Sequence, residues 1–60
     1  GGVGRWGTRL LEAAEAVAAA RGQRVLVVRA EEGTDWWGVC AGRGYGRAEA
    51  PDGGWLVRRL

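Results

Sequence analysis

Residues 1–22 read GGVGRWGTRLLEAAEAVAAARG, and where this stretch stops being loop and starts being helix decides the fold. Gly1, Gly2, Gly4 and Gly7 crowd its first third; from Thr8 onward leucine, alanine and glutamate take over. Glycine costs a helix interior about 1 kcal/mol relative to alanine, whereas Leu, Ala, Glu and Arg are strong helix formers. The expected division is a glycine-rich loop over 1–7, a helix opening near Thr8, and Gly22 as its left-handed cap. Such a junction gathers unpaired backbone N–H groups at the positive end of a helix dipole, a geometry that suits a phosphate. The plain alternative is a loose terminus leading into an ordinary helix. Leu10, Leu11, Ala14, Val17, Ala18 and Arg21 recur at helical spacing and are expected to face the core, with Glu12 and Glu15 toward the other side.

Downstream, RVLVVRA at 24–30 carries four consecutive apolar residues, Val25 to Val28, the pattern of a strand covered on both faces. A helix turning through Gly22 into such a strand is half of an α/β unit. Its expected partner is a parallel strand ahead of residue 1, so the chain is expected to be a fragment of a longer domain. Within EEGTDWWGVCAG, 31–42, Thr34 or Asp35 can cap a short helix holding Trp36, Trp37, Val39, Cys40 and Ala41; a strand is the competing assignment. The last third predicts a hairpin, RGYGRAEA and WLVRRL flanking the turn sequence PDGG, where Gly53 or Gly54 can take positive φ.

Sixty residues allow one small domain, and at this size a chain buries only roughly 60% of its unfolded surface. A single cysteine and no histidine exclude an intrachain disulfide and a zinc-type cluster. Cys40 is expected to be a small buried residue, and its lack of a disulfide partner points to a cytoplasmic setting. All nine basic residues are arginine and methionine is absent, which again suggests a segment of a longer GC-rich coding sequence. The net charge of +2 is too small to argue for nucleic acid by itself. No apolar run approaches a membrane span.

The ordered set of features resembles the C-terminal half of a GNAT (Gcn5-related) N-acetyltransferase. The carriers are Gly2-Val3-Gly4-Arg5-Trp6-Gly7 before Thr8-Arg9-Leu10-Leu11, the LLEAAEAVAAARG helix, the interval from Gly7 to Gly22, RGY at 43–45, and the terminal DGGWLVRRL. The resemblance implies an α/β (α+β) fold: one long and one short helix on a three-stranded, mainly antiparallel sheet. In it, the strand at 24–30 is flanked by 55–60, with 44–49 outside. It also implies acetyl-CoA as cofactor, an amine as acceptor, and a cofactor loop over Gly2, Val3, Gly4, Arg5, Trp6, Gly7 and Thr8, with the helix that starts at Asp35 beside the pantetheine. Three departures stand out. Gly2 replaces the usual Gln or Arg, and Arg5 replaces the first motif glycine. Cys40 occupies the place, five before Tyr45, where many members keep a tyrosine as general acid, so the usual acid is lost; Tyr45 itself is expected to be a core aromatic. The isolated chain is expected to be inactive and marginally folded, with the open edge of strand 24–30 inviting self-association.

Two other readings compete. Gly2-x-Gly4-x-x-Gly7 also matches a dinucleotide-binding fingerprint of an NAD-type oxidoreductase, with Glu31 or Glu32 beyond the strand. Against it, Glu31 lies farther on than the expected acid, about 20 residues away, and PDGG predicts an antiparallel turn. Alternatively, Trp6, Trp36, Trp37 and Trp55 together with the arginines could form a stacking surface for nucleic acid or protein. The arginines are interleaved with seven acids, the pattern of a solvated surface, and three of the four tryptophans are expected in the core.

Overall fold

The computed structural model describes residues 2–49, 51 and 53–60. Helix α1 (Gly2–Ala20) is followed by β1 (Val25–Arg29), α2 (Asp35–Gly42), β2 (Gly46–Arg47) and β3 (Trp55–Arg59). The sheet is three-stranded and wholly antiparallel in the order β1-β3-β2, with Val27 opposite Val57 and Gly46 opposite Val57 on the other side. This is an α+β architecture, and both the strand order and the antiparallel pairing are the expected ones.

The N-terminal boundary is not. Helix α1 opens at Gly2 and takes in the whole segment expected to be a loop. Thr8, expected near the helix start, lies inside it, and its Oγ1 donates to the Gly4 carbonyl four residues back at 2.7 Å. A threonine that bonds its own helix in this way is a mid-helix residue. Local propensity is overridden by packing, since α2 lies close against α1 at Gly7. A Cβ there would lie 3.1 Å from both Trp36 Cζ3 and Val39 Cγ1 of α2. The glycine is what lets the two helices approach.

The helices stop where their glycines allow it. Gly22 adopts φ 78°, and the pair Gln23 N–H to Ala18 O and Gly22 N–H to Ala19 O, each 3.0 Å, closes α1. The same device closes α2: Gly44 at φ 96°, with Tyr45 N–H on Cys40 O and Gly44 N–H on Ala41 O, both 3.1 Å. These are Schellman caps, which need a residue with positive φ after the last turn. At its start α2 is capped by Thr34, whose side chain accepts from Trp37 N–H. Because residues 43–45 serve this cap, β2 is reduced to Gly46–Arg47 rather than the longer strand expected over 44–49. Gly53 and Gly54 both take positive φ in the following turn. Gly1, Ala50 and Asp52, parts of the expected loop and turn, lie outside the described residues.

Both helices lie on one face of the sheet. Leu11, Ala30, Cys40, Tyr45 and Leu56 form the core, with Leu26, Val28, Trp36, Trp37 and Val39 packed against it. On β1 the side chains alternate strictly, so Leu26 and Val28 turn inward while Val25, Val27 and Arg29 are exposed. The expectation of a strand covered on both faces is therefore corrected: one face is covered by the described residues. The molecule is a slab, 31 × 31 × 14 Å. Among the described residues no helix is long and apolar enough to cross a membrane.

Candidate functional site

Two side-chain contacts fix how the helices lie. Gly7 of α1 meets Trp36 and Val39 in the first five residues of α2, and Glu15 meets Arg43 just past its end. The helices therefore run in the same direction, and both N-termini emerge at one end of the molecule. Between them lies an open groove lined by Gly4, Thr8, Gly38, Val39, Gly42 and Arg43. A Cβ at Gly4, Gly38 or Gly42 would meet nothing within 4 Å, so the three glycines leave bare backbone along a channel with room in it.

The two helix starts differ electrostatically. In α1 the N–H groups of Gly2, Val3 and Gly4 have no carbonyl four residues back within the helix, and no acidic residue stands in its first turn. In α2 the Trp37 and Gly38 N–H groups are taken by Thr34, and the Asp35 carboxylate already sits on the positive end of the dipole. An anion is thus favoured at α1, beside the exposed Arg5. Asp35 can accept an amide N–H but repels a phosphate.

The expected cofactor residues are dispersed by the helix. Gly2 begins it, and Gly4 and Thr8 line the groove. Gly7 is sealed between the helices. Val3 and Trp6 are exposed, and a helix turning 100° per residue sets them on a different side from Gly4 and Thr8. Cys40 is fully buried and its thiol is pushed up by desolvation, which fits a core residue and not a group that meets substrate. Asp35 is exposed at the head of α2.

Sequence reasoning missed Glu15. Expected on the outer side, it is only 8% exposed and lies at the centre of an ion cluster. Arg43 donates from Nε to both carboxylate oxygens at 3.1 Å and from Nη2 to Oε1 at 2.7 Å. Tyr45 donates its hydroxyl at 2.8 Å, and Arg58 of β3 donates at 2.9 Å. Burial pushes the Glu15 carboxyl up, but these three donors outweigh it and leave it below its ordinary value. Tyr45 is pushed up, first by burial and then by its bond to the Glu15 carboxylate, so its phenol stays neutral. The cluster ties α1, the end of α2 and β3 together with every acceptor in use. The clue was in the spacing: Gly7, Leu11, Glu15 and Ala18 form one helical stripe of small and apolar residues interrupted by a single acid.

Elsewhere, Glu32 pairs with Arg47, and Arg29 stacks over the Trp55 ring at 5.4 Å. Trp36 donates its indole N–H to the Arg29 carbonyl at 2.9 Å. Trp36 and Trp37 are half-buried against the core as expected, whereas the half-buried Trp55 lies opposite Arg29 on the other face of the sheet and Trp6 is 63% exposed. The dinucleotide alternative required a continuing parallel sheet; β1 pairs antiparallel with β3 instead. Among the described residues no group of His, Cys, Asp and Glu could hold a metal ion. Comparison with protein-family models, with curated proteins and with solved structures gave no match to this chain in any of the three.

Proposed function

We propose that the chain is the cofactor-holding part of an acetyl-CoA-dependent N-acyltransferase of the GNAT type, acting on an amine in a cytoplasmic setting. The observation that carries this proposal is the glycine-lined groove between two helices whose N-termini share one end of the molecule. A nucleotide-bearing thioester needs an anion site continuous with a groove along which its arm can lie. The N–H groups of Gly2, Val3 and Gly4, which α1 itself leaves without a carbonyl, suit the pyrophosphate together with Arg5, and bare backbone at Gly4, Gly38 and Gly42 suits the pantetheine arm. The cofactor supplies the activated acetyl group. The residues of this chain hold and orient it; none of them is assigned a proton-transfer role. Cys40 is sealed, and the Tyr45 hydroxyl is spent on Glu15. On this account the chain binds the cofactor but turns nothing over by itself.

Calorimetric titration with acetyl-CoA tests the proposal, on the chain and on Gly4→Val. A Cβ at Gly4 meets nothing within 4 Å beyond its own helix, so the position has room for a side chain on the groove wall, and circular dichroism of the variant checks that the fold is kept. Saturable binding lost in Gly4→Val supports the proposal. Absence of binding to a folded chain, or binding that Gly4→Val leaves untouched, contradicts it. NAD in place of acetyl-CoA would instead favour a dinucleotide site.

A further inference from the structure

The outer edge of β1 has a specific valence. Ala30 N–H bonds Gly54 O at 2.8 Å and Leu60 N–H bonds Arg24 O at 2.9 Å, so the even-numbered residues of this strand direct their backbone groups at β3. Val25, Val27 and Arg29 consequently direct theirs away from the sheet. At Arg29 the carbonyl is taken by the Trp36 indole. What remains on the edge, among the described residues, is the N–H and C=O of Val25 and of Val27 and the N–H of Arg29, beneath which runs a mainly apolar groove lined by Leu10, Ala13, Ala14, Val17, Arg21 and Leu26.

We infer that this edge pairs with the same edge of a second copy, antiparallel about a two-fold axis at Leu26. Only a self-pairing with an even register sum keeps matching faces together, because side chains alternate along a strand. With Leu26 opposite Leu26, Val25 meets Val27 of the second copy and Val27 meets its Val25. The N–H and C=O of Val25 and Val27 are then all satisfied, the Arg29 N–H faces Gln23 of the second copy, and the Trp36-capped carbonyl is left out. Centring on Val27 instead would require that capped carbonyl. The same axis sets the two α1 helices side by side on one face of a sheet of doubled width, so that the Leu10–Val17–Leu26 groove closes on its own copy.

Charge and area agree with this arrangement. Antiparallel pairing brings the exposed Arg21 and Arg24 at one end of β1 toward the exposed Glu31 that follows its other end; parallel pairing would bring like to like. The chain exposes 4408 Å², where a self-contained monomer of 6.4 kDa exposes about 3,800 Å². The excess of about 600 Å² belongs to the whole chain, and the exposed Leu10, Val17, Val25 and Val27 of this edge contribute to it. None of its residues lines the Gly4–Gly42 groove, so a loss of dimerisation and a loss of cofactor binding are read out by different variants.

Sedimentation equilibrium and amide hydrogen exchange on the full chain test it together. The expected result is a particle of twice 6.4 kDa in which the Val25 and Val27 amides exchange slowly. Val27→Pro removes an outward N–H without touching the β3 ladder, and Val17→Arg places a charge at a helix position 53% exposed. Each is expected to weaken association by about tenfold or more. A chain monomeric up to roughly 1 mM overturns the inference, as does a dimer in which those two amides exchange freely or in which both variants associate undiminished.

Discussion

The Tyr45 hydroxyl donates to Glu15 Oε2 at 2.8 Å in the interior of the molecule, and two arginines, Arg43 and Arg58, hold the same carboxylate from other elements. Removing one member of a buried charge pair is costly because its partners are left behind. Glu15→Ala is therefore expected to destabilise the fold by about 3 kcal/mol, the low end of that range because Arg43 and Arg58 can turn toward water. A chain of this size has only about 3–9 kcal/mol in total, so the variant should lose between about a third and all of its stability. Chemical denaturation followed by circular dichroism checks this.

The pH dependence has a definite sign. The folded-state pKa of Glu15 lies below its ordinary 4.5 because the donors outweigh the burial. Its contribution is complete above that value and lost as the pH falls through the lowered one. Stability measured against pH should decline below about 4.5. In Glu15→Gln, which keeps the shape and one acceptor, that decline should flatten.

Tyr45 is the only tyrosine, so its ultraviolet titration is free of overlap. Burial and the Glu15 carboxylate both push it above its ordinary 10.0. A group whose folded pKa is raised contributes stability below the unfolded value and loses it as the pH rises. No phenolate absorbance is expected at pH 10 in the folded chain, and ionisation should coincide with alkaline unfolding.

Two glycines of α1 should respond oppositely to the same change. At Gly4 an added methyl meets nothing within 4 Å, so Gly4→Ala gains helix propensity and stabilises by about 1 kcal/mol. At Gly7 the methyl would sit 3.1 Å from Trp36 and Val39, and Gly7→Ala is expected to cost about 1 kcal/mol net of that gain. Thermal melts of the two variants should move in opposite directions, by about 4–8 °C each.

Much of the architecture was legible in the sequence. Gly22 marked the end of the first helix, Thr34 the start of the second, and PDGG the hairpin that makes the sheet antiparallel. The extent of α1 was not, because glycine propensity is local whereas the need for a glycine at position 7 comes from Trp36 and Val39, far along the chain. The buried face was half read. The helix carries two apolar stripes, one through Leu10 and Val17 and one through Gly7, Leu11 and Ala18, and periodicity cannot say which is packed. The small-residue stripe won, since it allows the closer helix contact, and it carried Glu15 inward with it. The partners that make this burial tolerable, Arg43, Tyr45 and Arg58, come from later elements and are joined to Glu15 only by the tertiary fold.

The groove between α1 and α2 is the centre of the functional account, and amide chemical-shift mapping with acetyl-CoA probes it most directly. Perturbations concentrated at Gly2, Val3, Gly4, Gly38 and Gly42, and saturating with added cofactor, are the predicted result. Shifts absent from these amides, or spread instead over the Val25–Val27 edge and the Trp55 hairpin, would contradict it.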